Sequence, residues 1–173
     1  MEFGYADKSA NLQRFQNVQM LALSALGFLI PFTVGHPQMI VGVLVNAFII
    51  RAALTLPRDK ALPIVFTPTL GVVARGLLFG PLTAYVIFMM PFIWVGNFIL
   101  LWGFSQRTHY TLTLILSSAV KACFLYGSAY VLFSQGIVPE IFLTTMGIFQ
   151  YATALAGGIV AYGEFKAEKY LIK

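Results

Sequence analysis

Charged side chains are scarce in this sequence. Asp, Glu, Lys and Arg make up only 10% of its 173 residues, whereas 59% of the residues are hydrophobic. Soluble domains usually contain about 25% charged residues. This scarcity excludes an ordinary water-soluble protein and predicts an integral membrane protein. No polar, Pro-rich or Ser-rich run divides the chain, so residues 1–173 are expected to form one transmembrane domain.

The residue types that enzymes use are also few. The chain has two histidines, six acidic residues and one cysteine, Cys123. One cysteine excludes a disulfide within the chain and argues against a thiolate metal site. No Ser/His/Asp set, HExxH helix, GxSxG elbow, Walker loop or basic patch with interleaved aromatics occurs. We therefore expect no enzymatic activity, no cofactor, no metal and no nucleic-acid partner, and any ATP hydrolysis would be carried out by other subunits.

Long apolar runs occupy most of the chain. A bilayer core of about 30 Å needs about 20 apolar residues per helix, and Pro37 and Pro57 interrupt the first runs. The third run is short and contains Pro68, and the fourth contains Pro91, where a kink is expected. The sequence predicts an all-α bundle of six transmembrane helices at about residues 15–34, 38–56, 63–79, 81–104, 109–134 and 138–163.

Basic residues are distributed unevenly between the predicted loops. Residues 1–16 are polar and show no signal-peptide pattern, and the predicted outer loops contain no lysine or arginine. By the positive-inside rule, both termini are therefore expected in the cytoplasm. The predicted cytoplasmic segments contain Lys8, Arg14, Arg58, Lys60, Arg107, Lys166, Lys169 and Lys173.

Three basic residues fall within predicted spans, where charge is costly. Arg51 lies near the cytoplasmic end of its helix and is expected to extend towards the interface. Arg75 lies near the outer end of the third helix, and Lys121 lies near the middle of the fifth. Serines one turn before Lys121 and two turns after it predict a polar face that points into the bundle. Lys121 fits either a ligand pocket or a structural ion pair.

Four other polar residues admit two interpretations each. Glu140 either stabilises the start of the sixth helix or lines an outward pocket beside Arg75. His36, in the first outer loop, is either a ligand contact or a solvated loop residue. Asn46 and Gln150 lie within spans, where amides either bind ligands or bridge helices. For Asn46, helix bridging is favoured.

Trp94 and Asn97 form a conspicuous pair in the fourth helix. They lie one turn apart, with Met90 another turn earlier. An aromatic ring beside an amide suits a flat polar molecule, and a kink at Pro91 would make room for it. The alternative is an interfacial tryptophan that anchors the helix.

Small residues recur at four-residue spacing in the sixth helix, including Ala152 and Ala156. Such spacing allows helix backbones to approach closely. The pattern predicts packing within the bundle on one side and contact with a partner membrane protein on another.

Several of these features together resemble the S components of energy-coupling factor (ECF) transporters. The segments that carry the resemblance span most of the chain: Asn46 and Arg51, Thr67-Pro68-Thr69-Leu70-Gly71, Arg75-Gly76, Gly80-Pro81, and Pro91-x-x-Trp94-x-Gly96-Asn97. The resemblance implies a substrate-binding subunit in a prokaryotic cell membrane that captures a vitamin or related micronutrient. It also implies a transmembrane coupling subunit and two ATPases as partners.

The resemblance also suggests which residues are functional. For the substrate pocket it implies Arg75, Trp94, Asn97, Lys121, Glu140 and Gln150, with His36 as a loop contact. Docking of the coupling subunit usually involves an Ala-x-x-x-Ala pattern in the first helix. Here Ala22 and Ala25 depart from that spacing, so Ala152 and Ala156 are expected to share the docking surface.

Two cationic residues against one acid in the expected pocket favour a ligand with a carboxylate or phosphate. Two other classes of protein remain open at this stage. One is a membrane scaffold that resembles the cell-shape protein MreD and needs no deep pocket. The other is a small secondary transporter or channel, although no inverted repeat is evident.

Overall fold

The protein is all-helical over the residues that the computed structural model describes, namely 3–34, 36–79, 85–106 and 109–171. The predicted all-α fold class is confirmed for these residues. The helices are α1 (Phe3–Thr33), α2 (Gln38–Thr55), α3 (Arg58–Ala61), α4 (Pro63–Phe79), α5 (Val86–Ser105), α6 (Tyr110–Ser134), α7 (Ile141–Met146) and α8 (Ile148–Leu171).

Five helical segments of the described chain are long and apolar enough to cross a membrane. Helix α4 has 17 residues and contains Pro68. At 1.5 Å per residue it extends about 25 Å, which is less than a hydrocarbon core of about 30 Å. The third predicted span, over α4, therefore stays a prediction. The five segments are Ala10–Thr33, Gln38–Thr55, Val86–Ser105, Tyr110–Ser134 and Ile141–Glu168.

Several helix boundaries differ from those predicted. Helix α1 begins at Phe3 and α8 continues to Leu171, because the polar residues there contain no proline to stop a helix. The predicted sixth helix is divided into α7 and α8 at Gly147, which has φ −94° and ψ −102°. The predicted start of the fourth helix, at residue 81, lies outside the described residues. Hydropathy marks where the chain enters lipid, and local backbone chemistry decides where a helix ends.

Glycines bring pairs of helices into backbone contact. Helix α1 packs mainly against α4, and α2 packs mainly against α8. A Cβ added to Gly71 of α4 would meet the carbonyl oxygen of Phe28 in α1. A Cβ added to Gly157 of α8 would lie 2.7 Å from the carbonyl oxygen of Val43 in α2. Such contacts are typical of membrane helices, where van der Waals packing between small residues drives association.

The buried side chains form two apolar clusters with a polar layer between them. The first cluster includes Leu100 and Leu114, and the second includes Met89 and Leu125. On α5, Asn97 lies between Met89 and Leu100. On α6, Lys121 lies between Leu114 and Leu125. The polar residues in the middle of these helices thus separate the two apolar clusters, which lie towards opposite ends of the bundle.

Polar contacts gather at the end of the bundle that contains the connection between α2 and α4. Lys60 Nζ donates to Gln16 Oε1 over 3.2 Å, and Arg51 forms an ion pair with Glu168 of α8. Arg51 thus has a partner within the bundle, in addition to its expected approach to the interface. This end corresponds to the predicted cytoplasmic side, and its orientation in the cell stays a prediction.

We predict that the two ends of the bundle will differ in accessibility to a membrane-impermeant maleimide on intact cells. In a Cys123→Ala background, His36→Cys should be labelled without permeabilisation, because its loop is predicted to lie outside. Asp59→Cys should be labelled only after permeabilisation, because its loop carries the basic residues. The reverse pattern would contradict the predicted orientation.

We also predict that Gly71→Ala destabilises the bundle by about 1–3 kcal/mol, the usual cost of forcing extra atoms into a packed interface. Helix α1 would have to move away from α4 to relieve the contact with Phe28. The matched control is Gly163→Ala, since an added Cβ there meets no atom within 4 Å. Thermal unfolding in detergent measures both variants, and equal melting temperatures would contradict the close packing.

Candidate functional site

A cavity of about 130 Å³ lies inside the bundle, with walls contributed by seven of the eight helices in the described part of the chain. Its lining extends from Gln38 and Val86, at the starts of α2 and α5, to Asn46 and Asn97 deeper in the same helices. At 1.5 Å per residue, the distance along the helix axis is about 12 Å from Gln38 to Asn46 and about 16 Å from Val86 to Asn97. Each distance is roughly half of a bilayer core. The cavity therefore penetrates from the end of the α1–α2 turn to the polar layer.

Helical periodicity explains which residues of α2 reach the cavity. Residues 38, 41, 42, 45 and 46 line it, and their spacing of three and four places them on one face of a helix. On α5 the lining residues are Val86, Ile93 and Asn97, again separated by whole turns. The cavity thus has an apolar wall that ends at an amide on each helix.

Lys121 is the only basic residue on the described wall of this cavity, and it is 1% exposed. Its Nζ donates to Asn46 Oδ1 over 2.6 Å and to Asn97 Oδ1 over 2.9 Å. An ammonium has three N–H donors, and these two are the hydrogen bonds that Nζ makes to the described residues. No described carboxylate forms an ion pair with it, so the ion-pair interpretation has no partner in the described part of the chain.

The two asparagines are oriented by hydrogen bonds of their amide nitrogens. Asn46 Nδ2 donates to the carbonyl oxygen of Gly42 over 2.9 Å and to Thr153 Oγ1 over 3.3 Å. Asn97 Nδ2 donates to the carbonyl oxygen of Val65 in α4 over 3.0 Å. Both amide oxygens consequently face Lys121. The assignment of nitrogen and oxygen follows from this network, because only oxygen can accept from the ammonium.

Thr69 adds a polar group without a partner to the same cavity. It lines the wall and is 2% exposed, and its hydroxyl has no hydrogen-bond partner among the described residues. It lies one turn after Val65 on α4. A buried hydroxyl without a partner costs free energy. Together with the third N–H of Lys121, it leaves unused hydrogen-bonding capacity beside the cavity.

Three of the predicted site residues are brought together: Lys121, Asn97 and Gln150 all line the cavity. Arg75 and Trp94 do not. Arg75 Nη1 donates to the carbonyl oxygens of Phe32 and Thr33, over 2.9 and 3.0 Å, and so satisfies the C-terminal carbonyls of α1.

Trp94 points away from the cavity. Its ring packs edge-on against Phe66, with centroids 5.1 Å apart. One residue corresponds to about 100° around a helix, and Ile93, the residue before it, occupies the cavity-facing direction instead. Asn97 therefore lines the cavity without Trp94, although the sequence predicts that the two side chains share a ligand-binding face.

The remaining predicted contacts, His36 and Glu140, are both exposed and lie outside the cavity lining. Glu140 immediately precedes α7, and its side chain makes no capping hydrogen bond there. Its position near a helix N-terminus agrees with the electrostatic interpretation.

The predicted docking residues lie in two different environments. Ala22 and Ala25 are exposed on α1, whereas Ala152 and Ala156 are half-buried. The neighbouring small residues of α8 are used within the bundle, where Gly157 contacts α2 and Gly158 contacts Leu114. Of the two pairs, only the α1 pair is exposed, and docking stays a prediction for both.

Asn46, Thr69 and Thr153 are cavity residues that the sequence interpretation did not place in a ligand site. Asn46 was expected to bridge helices, and it does so while also binding Lys121. The periodic face of α2 was a signal for it, since Gln38 and Asn46 fall on one side with valines between them. No sequence pattern indicates that Thr153 lines the cavity, because its position there depends on how α8 packs against α2.

Comparison with known proteins gave no match among protein-family models, curated proteins or solved structures.

We predict a favourable coupling of about 1.5–3 kcal/mol between Lys121 and Asn97 in a double-mutant cycle with Lys121→Met and Asn97→Ala. This is the range for hydrogen bonds to charged groups. Unfolding free energies in detergent for the two single variants and the double variant supply the coupling.

A matched control cycle combines Lys121→Met with Ser105→Ala, because the only hydrogen bond of the Ser105 hydroxyl among the described residues is to Trp102 in its own helix. This cycle should be additive, as distant sites are. A coupling as small in the first cycle as in the control would contradict the network.

Proposed function

We propose that this protein binds a small organic anion in the intramembrane cavity and acts as the substrate-binding membrane subunit of an ECF-type, ATP-driven uptake transporter. The observation that carries the proposal is Lys121: a buried ammonium on the cavity wall whose described partners are two neutral amide oxygens.

The charge of Lys121 supports an anionic ligand. An ionised group in a low-dielectric interior is costly unless it is paired and hydrogen-bonded. Amide oxygens compensate part of that cost, but they carry no net charge. A carboxylate or phosphate that enters the cavity would accept the third N–H and neutralise the ammonium. Structural lysines within membranes are usually paired, and the lack of a described carboxylate partner distinguishes this one.

The closure of the cavity supports capture and not free passage. Beyond the polar layer, the first apolar cluster fills the bundle with residues such as Ile50, Leu100 and Leu101, each at most 1% exposed. A channel would need a continuous path through these side chains. A cavity open at one end suits a subunit that takes up its ligand on one side and needs a conformational change to release it on the other.

The energising partners are part of the proposal because the sequence has no nucleotide-binding motif of its own. The resemblance to S components implies a coupling subunit and two ATPases as the partners that provide the energy. Helix α1 has the surface for such a partner: Phe15, Val18 and Leu21 are each more than 60% exposed, and Ala22 and Ala25 lie on the same helix. The ligand would belong to the vitamins or related micronutrients.

The proposal predicts that a single small metabolite copurifies with the protein. Gently purified protein is denatured, and the released molecules are identified by mass spectrometry. We expect one near-stoichiometric compound with a carboxylate or phosphate group, lost in Lys121→Met because the buried positive charge is removed.

The matched control is Trp94→Phe, which changes a large side chain of α5 outside the cavity and should retain the compound. If Lys121→Met retains it equally, or if the wild type binds nothing after soaking in pooled organic anions, the proposed function is wrong. Protein analysis of material purified from native membranes tests the second half of the proposal, since a coupling subunit and two ATPases should be present.

A further inference from the structure

Building on the proposed function, we infer that the ligand is a compact monocarboxylate: one carboxylate beside Lys121, an apolar body, and no second charged group. The part of the ligand that the cavity encloses has about six or seven non-hydrogen atoms. Four properties of the cavity lead to this class, namely its charge, its donors, its volume and its walls.

The charge of the described wall matches one negative charge. Lys121 is the single basic residue that lines the cavity, and no acidic residue lines it among the described residues. A phosphate monoester carries about −1.5 to −2 at neutral pH and would leave uncompensated negative charge in a low-dielectric site. A zwitterion such as an amino acid would bring an ammonium group for which the described wall has no carboxylate.

The available donors fit a carboxylate better than a phosphate. The amide nitrogens of Asn46 and Asn97 already donate to protein acceptors. This leaves the third N–H of Lys121 and the hydroxyl of Thr69 on the inner part of the wall. Two donors suit the two oxygens of a carboxylate, whereas phosphate has three strong acceptor oxygens and is usually bound by arginine forks or by several backbone N–H groups.

The volume limits the size of the enclosed part. An apolar protein cavity of about 150 Å³ accommodates benzene, which has six carbon atoms. A cavity of about 130 Å³ therefore encloses a group of similar size. A five-carbon carboxylate, with about seven non-hydrogen atoms, reaches this limit.

The walls between the mouth and Lys121 are apolar. Val41, Val45, Val72, Ile93 and Met146 form them, so the body of the ligand should be a hydrocarbon. Towards the mouth, Gln38 and Gln150 offer neutral amides, which hydrogen-bond polar groups without selecting a charge. A hydroxyl or amide at the far end of the ligand would fit there. A second carboxylate at that end would find no basic side chain among the described lining residues.

The experiment uses the full-length protein in detergent, freed of bound metabolite, with pentanoate as the probe. Thermal stabilisation and isothermal titration compare pentanoate with pentanamide, which is nearly the same shape but uncharged. Glutarate, 5-aminopentanoate and propyl phosphate test a second charge and the phosphate group, and naphthalene-2-carboxylate tests size. We expect pentanoate to bind at least about tenfold more tightly than each of the others.

Two variants test the assigned residues. Lys121→Met should abolish pentanoate binding. Thr69→Val keeps the shape of the side chain and breaks no described hydrogen bond, because the hydroxyl has no described partner. It should fold normally and bind pentanoate about tenfold more weakly, so the inference remains testable even if Lys121→Met does not fold.

The outcomes separate this inference from the proposed function. Lys121-dependent binding of glutarate, propyl phosphate or 5-aminopentanoate at least as tight as that of pentanoate would overturn the monocarboxylate class and leave an anion-binding subunit. Equal binding of naphthalene-2-carboxylate would overturn the size limit. Equal binding of pentanamide, or no binding of any probe, would overturn the inference, while the copurified metabolite still decides the proposed function independently.

Discussion

The arrangement of the bundle depends on the hydrogen bonds that the buried ammonium of Lys121 donates to two asparagines. In a low-dielectric interior an ammonium without acceptors is very costly, so the helices that surround it must supply them. Asn46 of α2 and Asn97 of α5 each give an amide oxygen, and their amide nitrogens continue to Thr153 in α8 and to the backbone of α4. One charged group thereby links five helices in the middle of the bundle.

Close packing makes this polar layer geometrically possible. Asn46 and Thr153 meet because α2 and α8 approach closely at Gly42 and Gly157. A Cβ at Gly42 would lie 3.0 Å from the Thr153 side chain, and one at Gly157 would lie 2.8 Å from Asn46 Cβ. Larger residues at either glycine would separate the helices and lengthen the hydrogen bond. Steric and polar requirements are therefore satisfied at the same contact, where each helix contributes one glycine and one polar side chain.

The cavity exists because the polar layer closes only the inner end of an apolar pocket. Towards Gln38 and Val86 the helices leave space, whereas the cluster around Leu100 fills the bundle on the other side. Arg75, which the sequence suggested as a ligand contact, stabilises the end of α1 near the rim instead. A guanidinium near exposed helix carbonyls finds acceptors locally, and such a local contact cannot be distinguished from a ligand contact in the sequence.

The sequence by itself determined the helical fold and most of the helices, including those long and apolar enough to cross a membrane. Apolar runs of about 20 residues leave few alternatives in a bilayer. It also indicated that Lys121 and Asn97 face the interior, since polar groups within spans avoid lipid. Only the tertiary structure decided that Lys121 binds both Asn97 and Asn46, that Trp94 lies outside the cavity and that Thr69 lines it. Those outcomes depend on the rotation of each helix about its axis and on close approaches such as Gly71 to Phe28. Both are set by packing between segments far apart in the chain, to which the local pattern of residues is insensitive.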